Sequence, residues 1–161
     1  MCRGTRLFPV LACIILALVL AIVPLPDWAE PYRPDWAALT LIYWSMVLPR
    51  TVGVGLAGLV GIVLDVAHGT LLAQHALALS LITYMTVKFH LQLRVFPWSQ
   101  MTAVVLALLA LYQFILFWIN GVAGTYAPAV VYWGPVVSGT LLWPVLNLLF
   151  SGVRYRVAQG S

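Results

Sequence analysis

The sequence predicts an all-α integral membrane protein of six transmembrane helices. Three observations carry this reading. The composition is 63% hydrophobic and only 7% charged, the apolar residues fall into six separate runs, and the positive charges fall on alternate connections between them. A soluble domain carries roughly 25% charged residues, enough to coat a surface facing water. Lipid needs no such coat. Seven Trp and seven Tyr suit the same setting, because amphipathic rings favour the headgroup zone.

A bilayer-spanning helix needs about 20 apolar residues. The first run covers residues 7–24 and ends at Pro24 and Pro26. The polar stretch 27–35 follows, holding Asp27, Glu30 and Asp35, three of the four acids. The second run is 36–48, interrupted by Pro49-Arg50, and the third is 51–66. Both are short for spanning helices. A re-entrant hairpin made from them would strand Arg50 near mid-bilayer, which is costly; two short spans, with Arg50 snorkelling to the interface, avoid that cost. The fourth run is 71–87, closed by Lys88. The fifth, 99–119, follows Pro97-Trp98, and the nearly uncharged loop 120–128 leads to the sixth, 129–150. No linker or internal repeat divides the chain, so it reads as one polytopic domain.

With six spans and the N-terminus inside, Arg3, Arg6, Arg50, Lys88, Arg94, Arg154 and Arg156 share one side. The other side holds Arg33 with Asp27, Glu30, Asp35 and Asp65. Seven basic residues against one places both termini in the cytoplasm by the positive-inside rule. The same scatter argues against nucleic acid, despite a net charge of +4, since no basic face is formed. Cys2 and Cys13 allow neither a disulfide framework nor a zinc pattern. Val10-Leu11-Ala12-Cys13 is superficially like a lipoprotein box, but the apolar run follows Cys13 instead of preceding it.

The third run contains Gly58, Gly61 and Asp65 at i, i+3 and i+7, on one helical face bordered by Gly53 and Ala57. Small residues let helices approach closely in lipid. The plainer reading is packing within the protein; the functional one is a groove for a partner's transmembrane helix, where Leu would disrupt docking and Ala be tolerated. Asp65 is the single acid within an apolar run, and ionisable groups there are candidates for function. His68-Gly69 follow it, and Gln74 and His75 open the next span. Asp65 either ties the turn between the third and fourth spans, or organises a cavity or partner site, or serves a proton relay or metal. A metal usually takes three or four protein ligands, and the supply here is thin. In Arg33-Pro34-Asp35-Trp36, Pro and an acid suit a helix start and Trp36 anchors the interface. Gln113, Asn120 and Asn147 are lone polar groups suited to interhelical hydrogen bonds. Nucleophile-elbow, metalloprotease and phosphate-loop signatures are missing, so the chain reads as a non-enzyme without a cofactor.

Arg33-Pro34-Asp35-Trp36 with Tyr43-Trp44, Pro49, the glycine-rich run ending at Asp65, His68-Gly69, Phe117-Trp118, and Trp133 followed by Gly139 and Leu142-Trp143-Pro144 together resemble the rod shape-determining MreD family, in its proteobacterial branch. The resemblance covers nearly the whole chain. It implies a component of the inner-membrane machinery that elongates the cell wall. The implied partners are MreC, MreB, RodA and a class B penicillin-binding protein. It implies a six-helix fold similar to S components of energy-coupling-factor transporters. Asp65 and Gly69 correspond to the family's Asp-x-x-x-Gly element; no catalytic residue carries over. The expected function is a scaffold that maintains rod shape. The alternative is a small-molecule binding or transport subunit with Asp65, His68, Gln74 and His75 lining a pocket. A polar cavity of several hundred Å3 would favour that alternative.

Overall fold

The computed structural model describes residues 4–125 and 127–159. Cys2, Arg3 and the Arg6 side chain lie outside the described residues. Among those described there are six α-helices and no strand: α1 (Gly4–Ile22), α2 (Trp36–Val47), α3 (Val54–His68), α4 (Gln74–Leu93), α5 (Trp98–Val122) and α6 (Ala129–Gln159). A 3-10 turn, Glu30–Tyr32, lies in the first long connection. Three stretches, Gln74–Leu93, Trp98–Val122 and Tyr132–Arg156, are long and apolar enough to cross a membrane; α1 and α3 are apolar but shorter. Large apolar side chains such as Ile15, Leu59, Val66, Leu81 and Leu141 stand exposed on the outside. In water such a surface would aggregate, whereas lipid is its natural solvent.

The shortest helix is the most buried. α2 is apolar on every side, and all ten residues from Ala37 to Met46 are buried, as expected of a helix surrounded by others. It packs on α1, α4 and α6. Twelve residues reach about 18 Å, well short of the ~30 Å hydrocarbon core. Polar groups therefore approach both ends of α2. At its C-terminus, Arg94 Nη2 donates to Val47 O at 2.8 Å and Nε to Met46 O at 3.3 Å. These carbonyls have no partner within the helix, and a cation suits that end of the dipole.

The helices end where the backbone demands it rather than where hydropathy falls. The fourth run begins at residue 71 by composition, yet α4 starts at Gln74. Gly69 (φ +63°) and Ala73 (φ +76°) are both left-handed and break the helix between them. α4 also runs past Lys88 to Leu93, because Lys88 is no helix breaker and the first proline is Pro97. α6 continues from Ala129 to Gln159 through Pro135 and Pro144.

The glycine face of α3 meets α4 of the same chain. A Cβ on Gly61 would lie 2.2 Å from Ala76 Cα and 2.4 Å from its nitrogen. Gly61 is thus the closest crossing point of α3 and α4, the most extensive helix pair in the bundle. A Cβ on Gly58 would lie 3.3 Å from Ser80 Oγ. The reading of this face as a free groove for a partner helix is corrected accordingly, and so is the expected tolerance of Ala at Gly61. Two further crossings follow the same logic. A Cβ on Gly134 would strike Pro31 O, and one on Gly139 would come within 2.9 Å of Leu109 Cδ1.

Candidate functional site

Asp65, His68, Gln74, His75 and Trp36 all lie at the end of the bundle that carries the acids, while Asn147 lies at the other. Asp65 is 1% exposed, and its carboxyl group meets four donors. Oδ1 accepts from the His75 backbone N–H at 3.0 Å and from Thr70 Oγ1 at 3.1 Å, and lies 2.7 Å from His75 Nδ1. Oδ2 accepts from the Ala76 backbone N–H at 3.4 Å. His75 and Ala76 occupy the second and third positions of α4, and the residue before α4 is Ala73, which has no side-chain acceptor. The first N–H groups of a helix lack intrahelical partners. Asp65, on α3, thereby caps α4 from outside, where a residue of α4's own turn would ordinarily do so.

Gly69 makes that reach feasible. It ends α3 in the left-handed conformation, its N–H bonded to Asp65 O, and Thr70 N–H bonds to the same carbonyl at 3.1 Å. Glycine adopts this backbone without a Cβ penalty. The Asp-x-x-x-Gly spacing therefore sets one geometry: the acid sits a turn before the helix end, and the glycine folds the next helix back onto it. His68 is exposed; its ring lies 5.7 Å from that of His75, and Nε2 lies 3.3 Å from Ala21 O at the end of α1. Gln74 is buried, but its Oε1 has no hydrogen-bond partner and does not join Asp65. Among the described residues no group of three His, Cys, Asp or Glu side chains converges as a metal site would need.

A second knot sits beside the first; the sequence marked its residues as a helix start and a lone polar group, but not their pairing. Arg33 Nη2 donates to Leu20 O at 2.8 Å and also to Ala21 O, closing the C-terminus of α1. Asp35 precedes α2 without capping it; its Oδ2 instead accepts from Gln113 Nε2 on α5. Burial raises the Asp35 carboxyl to about 7, against the opposing pull of the Gln113 amide and the Arg33 charge. Trp36, half-buried, packs against the core at the start of α2. Across from these, the Glu30–Tyr32 turn lies on α6 at Gly134, and Asn120 Nδ2 donates to Tyr132 OH at 3.0 Å, joining α5 to α6. The connection 23–35 thus ties α1, α2, α5 and α6 together. The available signal was the rarity of Arg33, Asp35 and Gln113 in so apolar a chain, since polar groups at membrane depth must find one another.

Between the two knots the cavity is small, about 60 Å3, lined in part by Asp35, Trp36, His68, His75 and Tyr112. That is room for about two waters. A larger pocket, about 270 Å3, lies at the opposite, basic end.

A model of the family described as rod shape-determining protein MreD matches residues 4–153. The chain belongs to the MreD family. The rod shape-determining protein MreD of Haemophilus influenzae is 33% identical over 155 residues, which cover 93% of this chain and 93% of that protein. Membership makes the chain a membrane protein that determines cell shape and not an enzyme. No solved structure matches the chain, so for this MreD relative the likeness to transporter S components stands as an expectation. In MreD terms, Asp65 and Gly69 hold together the turn between α3 and α4.

Proposed function

We propose that this chain is a non-catalytic scaffold of the cell-wall elongation machinery in the bacterial inner membrane. In this reading it crosses the membrane six times as one domain, with both termini in the cytoplasm. It holds MreC and, through the assembled complex, MreB, RodA and a class B penicillin-binding protein. The observation that carries the proposal is family membership over residues 4–153. The geometry at the acid-bearing end supports it. Asp65, His75, Arg33, Asp35 and Gln113 are spent on bonds between helices, which makes a rigid body for others to assemble on. The transport alternative needed Asp65, His68, Gln74 and His75 to line a roomy polar cavity, and about 60 Å3 is far below the ~300 Å3 at which ligand sites begin.

Depletion in the native cell tests the proposal. Rod-shaped cells losing the protein should round up, and re-expression should restore the rod. Cells that keep their shape and instead lose uptake of one small molecule would reverse the choice.

A further inference from the structure

The pocket of about 270 Å3 at the basic end lies among α2, α4, α5 and α6, and its walls include Tyr43, Arg94, Trp98, Trp143, Asn147 and Arg154. Its charge has no carboxylate counterpart among the described residues. All four acids, Asp27, Glu30, Asp35 and Asp65, belong to the opposite end, and no carboxylate among the described residues pairs with Arg94 or Arg154. Arg94 spends two donors on α2 carbonyls, and a guanidinium has five. Arg154 sits over the Tyr155 ring at 5.8 Å. Deeper in, Tyr43 and Trp143 close the pocket with aromatic surface. α5 begins at this pocket after Pro97, with no side-chain cap on its first N–H groups, an arrangement that favours an anion.

The walls also indicate what carries the anion. Trp98 is exposed at the start of α5 and Trp143 is buried behind it, while Met46 and Leu93 add apolar surface. Aromatic rings beside cations mark the level of lipid headgroups. The volume suits a headgroup and glycerol, and the acyl chains would run along the apolar exterior. We propose that this pocket holds the phosphate headgroup of an anionic membrane phospholipid, with Arg94 and Arg154 on the phosphate and Asn147 on its ester oxygens.

The test uses the full chain, purified in detergent and stripped of lipid, with bound lipid counted by native mass spectrometry. Phosphatidylglycerol should be retained one per chain, about tenfold more than phosphatidylcholine of the same acyl length, because the choline cation would lie beside two guanidinium groups and cancel the net charge of the same phosphate. Arg154→Gln should lower that retention about fivefold or more, since bidentate phosphate contacts are lost. The melting temperature of the lipid-free protein should be unchanged, because Arg154 is exposed. Equal retention of the two lipids, or undiminished retention by Arg154→Gln, would overturn the proposal. Displacement of phosphatidylglycerol by millimolar inorganic phosphate would assign the site to a soluble anion and overturn the lipid assignment.

Discussion

Asp65 closes the amino end of the helix that carries His75: its Oδ1 accepts the His75 backbone N–H at 3.0 Å and lies 2.7 Å from the ring nitrogen Nδ1. An acid on one helix thereby fixes where the next one starts. Replacing Asp65 with Leu leaves buried N–H groups without an acceptor, a loss on the order of 1–3 kcal/mol. Asp65→Asn keeps one acceptor oxygen and should lose less. Thermal unfolding in detergent should rank the proteins wild type, Asn, Leu. A Leu variant as stable as wild type would show that the cap is idle.

Gly61 and Gly58 give a paired contrast. Alanine at Gly61 collides with the Ala76 backbone, while at Gly58 it meets only the movable Ser80 hydroxyl. Overpacking a tight contact costs about 1–3 kcal/mol. Gly61→Ala should therefore lower the melting temperature clearly and Gly58→Ala little. The same order should appear in yield of folded protein. Equal behaviour of the two would refute the close α3–α4 crossing.

Asp35 supplies a dependence on pH. Its carboxyl is raised to about 7 in the folded protein, against about 3.9 for a free aspartate. The fold prefers the neutral acid, so this contribution to stability is complete below about pH 4 and is lost as pH rises through about 7. Melting curves of wild type should fall across that window more than those of Asp35→Asn, whose amide does not titrate. Other carboxyl groups act alike in both proteins, so the difference isolates Asp35. Parallel curves would contradict the burial of the acid.

Orientation is open to chemical labelling. In a six-span arrangement, single cysteines at Glu30 and Thr125 should react with an impermeant thiol reagent added outside cells, and one at Gln92 should not. Reaction of Gln92→Cys from outside would break that arrangement.

Much of the helix plan was legible because apolar runs and prolines mark it directly. The ends were less so. The start of α4 depends on Ala73 adopting a left-handed backbone, which no local pattern announces for alanine. Asp65 stood out because an acid in an apolar run is expensive, and Gly69 because a helix end of this kind needs glycine. The Asp35–Gln113 bond joins residues far apart in the chain, and only the folded bundle reveals the pairing. Gly61 was read as a packing position with two possible occupants. Spacing fixes the face, but the neighbour that fills it is a tertiary fact.

In the proposed function the protein would work by holding other membrane proteins, MreC first among them. The most direct measurement is recovery of native MreC with the affinity-tagged chain from mild detergent, quantified against the tagged protein. The account predicts MreC in near-stoichiometric amount, with its loss in destabilised variants such as Gly61→Ala. A folded, monodisperse chain that supports rod shape while recovering no MreC would contradict it.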